Sequence, residues 1–254
     1  MSDLALLPPD LGPWPFLLLS AVSFFTSGLT AAMGLGGGVA LLAVMATLLP
    51  PLALIPVHGV VQWGSNAGRA AIQWRHVAWR LVLPFVVGSL VGALVGGQMV
   101  IALPGWLLKS VVALFVLYAT WAPKLRLGDL KPLAFGVGGA LATFLTMFVG
   151  ATGPFVGALL APKPLDRLQL VGTFAVCMTL QHGLKILAFG LLGFAFGPWA
   201  GLIVAMTATG FLGTLAGTRL LRRLPERTFR TGFKWVMTLL ALQLLASTAW
   251  GLLE

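Results

Sequence analysis

The sequence predicts an all-α integral membrane protein made of two inverted-topology repeats of five hydrophobic segments each, with a short Gly-tipped helical hairpin in each repeat. Three observations predict it. First, 59% of the 254 residues are hydrophobic, 9% are charged and the mean hydropathy is +1.00, a composition suited to lipid rather than to water. Second, the chain repeats itself. An offset of 116 residues carries Gly34 onto Gly150, Gly37 onto Gly153, Gly38 onto Pro154, Asn66 onto His182 and Arg69 onto Lys185. An offset of 121 carries Leu103-Pro104 onto Leu224-Pro225, Gly92 onto Gly213, Gly96 onto Gly217 and Lys109 onto Arg230. Third, basic residues gather in alternate loops, as the positive-inside rule requires of a chain that crosses a bilayer repeatedly.

The elements follow in order from apolar runs bounded by Pro, Gly and charge. An N-terminal tail, 1–13, carries Asp3 and Asp10 without Lys or Arg, so it lacks the basic region of a signal peptide, and the first apolar run is expected to stay in the mature protein. Repeat 1, 14–122, has segments near 14–33, 37–49, 53–73, 79–101 and 105–122. A short basic linker, 123–131, holds Lys124, Arg126 and Lys131. Repeat 2, 132–254, has segments near 132–149, 154–162, 168–189, 198–221 and 227–252. The second segment of each repeat is shorter than the roughly 20 residues a span needs. Segments one and two therefore suggest a hairpin whose Gly-rich tip lies at membrane depth, with two full crossings as the other reading.

Charge placement orients the chain. With the N-terminus outside, the loops holding Arg75, Arg80, Lys124, Arg126, Lys131, Lys163, Arg167, Arg219, Arg222, Arg223, Arg227 and Arg230 all fall on the cytoplasmic side, and both termini are extracytoplasmic. Hairpin or not, each unit crosses an odd number of times, so the copies are inverted. Trp14, Trp74, Trp79, Trp106, Trp121, Trp199 and Trp250 fall near segment ends and read as interfacial anchors. Gly88, Gly92, Gly96, Gly213 and Gly217 read as close helix-packing faces inside one subunit, with a homodimer interface as the alternative. The net charge of +10 is spread singly between apolar runs, which argues against a nucleic-acid partner. Cys177, the single cysteine, excludes an internal disulfide and a multi-cysteine metal site, and reads as a small buried residue.

Polar groups concentrate on the third segment of each repeat. His58, Gln62, Ser65, Asn66 and Arg69 recur at spacings of three and four, along one helix face, and Cys177, Gln181, His182 and Lys185 do the same in the second copy. Ionisable groups inside a span cost about 2.5–3.5 kcal/mol on insertion scales, so they belong to a cavity or a partner. Arg69 or Lys185 alone could snorkel to the headgroups; two at equivalent positions, each continuing a polar stripe, favour a binding role. All six acids, Asp3, Asp10, Asp129, Asp166, Glu226 and Glu254, fall in expected loops or termini, so no carboxylate neutralises these cations within the membrane. The pattern asks for a small anionic ligand and disfavours cation transport, a metal site or a carboxylate proton relay.

The glycine tips add backbone donors. Gly34, Gly36, Gly37 and Gly38 in repeat 1, and Gly150, Thr152, Gly153 and Pro154 in repeat 2, precede short helices whose N-terminal N–H groups and dipoles suit an anion. His58 and His182 are not repeat equivalents, since His58 matches Phe174. Each reads first as hydrogen-bonded packing, with proton transfer by His182 as the alternative. No catalytic set is visible, which disfavours an enzyme, and no cofactor is called for.

The GxGGG-like tip at Gly34, Gly36, Gly37 and Gly38, the GxTGP-like tip at Gly150, Gly153 and Pro154, the inverted halves and the basic loops together resemble the TauE/SafE family over nearly the whole chain. Pro154 departs from a third glycine and removes one backbone donor. The resemblance implies a bacterial inner-membrane secondary transporter that exports sulfite or a small organosulfonate such as sulfoacetate. On this expectation an anion binds between the tips and third helices by alternating access, contacting Gln62, Ser65, Asn66, Arg69, Gln181, His182 and Lys185, with a passive anion channel as the alternative.

Overall fold

The computed structural model describes residues 7–8, 11–33, 36–100, 104–121, 131–220 and 226–250. Gly34, Leu103, most of the expected tail and linker, Arg222, Arg223, Leu224-Pro225 and the C-terminal Glu254 lie outside them. Among the described residues ten helices run in order: α1 Pro13–Met33, α2 Gly37–Leu48, α3 Pro51–Gln73, α4 Trp79–Val100, α5 Gly105–Trp121, α6 Pro132–Val149, α7 Gly153–Leu160, α8 Arg167–Leu191, α9 Ala200–Leu220 and α10 Glu226–Trp250. They coincide with the expected segments to within a few residues. Short 3-10 turns at Trp74–His76 and Gly197–Trp199 lead into α4 and α9.

Local chemistry sets the boundaries. α1 and α2 are separated at Gly36, φ 103°, and α6 ends at Gly150, φ 75°; both lie in the left-handed region that only glycine enters without strain. Pro51 starts α3 from the first turn, where a missing N–H costs nothing. Asp166 and Gln169 form a reciprocal capping box at the start of α8, with Gln169 N–H donating to Asp166 Oδ1 at 2.8 Å.

Among the described residues, four helical stretches are long and apolar enough to cross a membrane: Pro13–Ala31, Trp79–Val100, Leu168–Leu191 and Gly197–Gly217. α3 has 23 residues, long enough to span, but its polar stripe keeps it out of that group. α2 and α7 have 12 and 8 residues, about 18 and 12 Å at the helical rise, well short of a bilayer core. Both are packed inside the protein instead. Val39 through Ala43, Met45 and Ala46 of α2 are buried, as are Val156, Leu159 and Leu160 of α7. Broken helices are tolerated at membrane depth in such a setting.

The two halves interlock. α4 lies along α6, α1 along α9, α3 along α8 and α5 along α10. Glycines allow the first two contacts: a methyl at Gly92 would land on the Ala140 carbonyl, and one at Gly213 on the Phe24 carbonyl. Likewise Gly96 faces the Phe144 backbone and Gly217 the Gly28 backbone. The offsets of 116 and 121 that relate the sequence halves therefore also relate their packing contacts. Both pairs run parallel, since successive glycines meet successive turns of the partner. α3 and α8 run antiparallel: Gly59 faces Lys185, Gly183 faces Trp63 and Gly172 faces Gln73. Ser23 Oγ–H donates to the Met206 carbonyl at 2.6 Å and Thr209 Oγ1–H to that of Ser20 at 2.7 Å, fixing α1 against α9.

Trp14, Trp74, Trp79, Trp106, Trp121 and Trp250 are exposed, as anchors would be. Trp199 is not. It is buried in the main apolar cluster beside Leu202 and Met206, because the 3-10 turn before α9 folds it inward.

Candidate functional site

The antiparallel contact of α3 with α8 brings the two polar stripes together beneath the α2 and α7 N-termini. His58 and His182 meet edge to face, ring centroids 6.1 Å apart. Beside them lies a small, partly open cleft of about 30 Å³. Gly36 and Gly38 of the first tip, Gly153 and Pro154 of the second, and His58, Gln62, Asn66, Arg69 and His182 line it. Thr30, Val39, Ala151, Phe174 and Met178 complete its wall. No carboxylate lines it among the described residues.

α3 supplies the polar wall. Arg69 Nη2 donates to Asn66 Oδ1 at 2.9 Å, and Asn66 Nδ2 donates to the Gln62 carbonyl at 2.8 Å. Asn66 thus accepts from the guanidinium through Oδ1 and anchors itself to the α3 backbone through one of its two Nδ2 hydrogens. Arg69 Nε is buried without a partner, leaving a charged donor for an acceptor in the cleft. His58 Nε2 lies 3.0 Å from the Gly38 carbonyl, and because a carbonyl only accepts, that nitrogen carries the proton. A methyl on Gly38 would press on the Gln62 amide at 3.0 Å, so glycine makes room for it there.

Six expected ligands stand apart from the lining. A side chain on Gly37 would strike the Thr26 carbonyl, so Gly37 seats α2 on α1. Ser65 lies on α3 outside the lining. Lys185, fully buried, donates through Nζ to the Gly150 carbonyl at 2.9 Å. Thr152 Oγ1–H donates to Gln181 Oε1 at 3.0 Å, and Gln181 Nε2 donates to Thr143 Oγ1 at 3.3 Å. Gly150, Thr152, Gln181 and Lys185 accordingly form a layer behind the second tip. The reason is helical geometry: residues spaced three and four apart share a face, but that face is wide enough to turn one edge to the cleft and the other to α6 and α7.

Sequence reasoning missed Phe174 and Met178, which make the α8 wall apolar. The 116-residue offset held the signal, since it places them opposite His58 and Gln62 of the polar wall. Thr30 and Val39 had no such signal. Cys177 is buried and free, and no group of three His, Cys, Asp or Glu able to hold a metal occurs among the described residues.

Several helices long and apolar enough to span, with helix breaks packed inside the protein, are those of a multi-pass membrane protein. The chain belongs to the TauE/SafE family: the family model described as "Sulfite exporter TauE/SafE" matches residues 19–244, nearly the whole chain. That family comprises transporters, not enzymes. No curated protein matches the chain, and no solved structure does.

Proposed function

We propose that the protein exports a small sulfur oxyanion, sulfite or an organosulfonate such as sulfoacetate, across the bacterial inner membrane by alternating access of two inverted repeats. The observation that carries this reading is the meeting of both tips with Arg69 in one cleft that no carboxylate lines among the described residues. The first N–H groups of α2 and α7 have no intrahelical partner, and the dipole at each helix start favours negative charge. Arg69 supplies the formal charge. The apolar Phe174 and Met178 suit the methylene of an organosulfonate such as sulfoacetate.

Inversion is supported by direction. α3 and α8, equivalent by the repeat, run antiparallel, and the exchanged pairs α4 with α6 and α1 with α9 recur at the repeat offsets. With the basic loops inside, both termini are extracytoplasmic, and an inside-negative potential drives a monoanion outward by about 2.3 kcal/mol per 100 mV.

The test is flux in proteoliposomes. Saturable efflux of sulfite or sulfoacetate, accelerated by an outward-driving potential and by substrate on the far side, is expected. Flux that never saturates and shows no counterflow would replace the transporter with a channel; no flux of either anion would overturn the substrate assignment.

A further inference from the structure

We propose that Lys185 is a positioning residue for the second tip and not, like its repeat equivalent Arg69, a contact for the anion. This rests on the reading of the cleft as an anion site, but the geometry is independent of which anion is carried.

The two cations occupy equivalent sequence positions and different structural ones. Arg69 lines the cleft, tethered by Asn66, with Nε left unpartnered. Lys185 is absent from the lining, and its ammonium ends on the Gly150 carbonyl. Gly150 is where the chain leaves α6 in a left-handed conformation to begin the second tip. That carbonyl sits at the end of a helix, where four oxygens lack intrahelical donors and a cation is favoured. Lys185 thus satisfies the break electrostatically from behind. Ala151, the next residue, faces the cleft.

The asymmetry is written into the sequence as well as the conformation. Lys185 reaches Gly150 across Gly59 of α3, where a methyl group would lie 2.8 Å from Lys185 Cε. The repeat equivalent of Gly59 is Ala175, which carries that methyl and is buried. A slot for a stowed cation therefore exists in one repeat and is narrowed in the other. One cation is shaped to bind, its counterpart to hold the backbone that helps bind.

The test separates holding from binding. In purified protein without added anion, Ala151→Cys is labelled with a water-soluble maleimide, with Thr30→Cys as a report on the opposite wall. Adding Lys185→Met should speed labelling at position 151 about tenfold or more, as losing a charge-assisted hydrogen bond implies, and leave position 30 unchanged. Lys185→Arg should restore much of the slow labelling, and Gly59→Ala, which keeps the amine but displaces it, should mimic Lys185→Met. Sulfoacetate affinity should fall in Arg69→Gln far more than in Lys185→Arg. Unchanged labelling at 151 in Lys185→Met and Gly59→Ala, or equal acceleration at 30, would overturn the proposal. So would an affinity loss in Lys185→Arg equal to that of Arg69→Gln, which would make Lys185 a ligand. Absence of sulfoacetate binding in the unsubstituted protein would overturn the transport reading while the labelling still judged the role of Lys185.

Discussion

Arg69 is held by a chain of two bonds, to Asn66 and from Asn66 to the Gln62 carbonyl, so the direction of the only Lys or Arg charge on the cleft wall among the described residues depends on a neutral amide one turn away. Arg69→Gln is expected to lower kcat/KM for sulfite efflux about tenfold or more, the scale of one hydrogen bond to a charged group. Asn66→Ala should lower it less, because the guanidinium stays but loses its tether; proteoliposome kinetics on both variants rank them. His58 has a different task. Its Nε2–H donates to the Gly38 carbonyl near the start of α2 and ties α3 to the first tip, so His58→Ala would lose one cross-helix hydrogen bond, worth about 0.5–1.5 kcal/mol. A lowered thermal-unfolding midpoint in detergent, partly recovered in His58→Gln, is the expected result.

At the scale of elements, the breaks and the close crossings are set by glycines with distinct reasons. Gly150 needs its positive φ, and a methyl there would also meet Leu42 Cδ1 at 2.8 Å. Gly150→Ala is expected to cost at least about 1–2 kcal/mol from backbone strain alone. Gly92 and Gly213 are limited by space, each abutting a carbonyl of its partner helix. Gly92→Ala and Gly213→Ala should both lower the unfolding midpoint, whereas Gly197→Ala, with nothing within 4 Å, should stay within about 0.5 kcal/mol of the parent. Equal stability of all four variants would remove the close-packing account of these crossings. Much of this level was legible beforehand. Pro, Gly and charge gave the segments, and the spacing of four gave the packing glycines, because such signals act on neighbours along one helix.

For the whole molecule, inversion makes a sharp prediction at equivalent positions. His76, between α3 and α4, and Leu192, between α8 and α9, are related by the 116-residue offset, and both are exposed. In right-side-out vesicles an impermeant thiol reagent should label Leu192→Cys and spare His76→Cys, and inside-out vesicles should reverse the result. Labelling of both from one side would end the inverted-repeat reading. The sequence by itself determined the membrane class, the ten segments, the family, the repeat and the tips, since hydropathy, helix breakers and offsets are properties of residues near one another in the chain. Only the tertiary structure decided which polar residues face the cleft. Arg69 and Lys185 occupy the same place in the repeat, yet one lies on the cleft wall and the other behind a tip, because α6, α7 and the missing side chain of Gly59 surround only the second. Trp199 turned inward for the same kind of reason, since what lies on the far side of a helix face depends on partners distant in sequence.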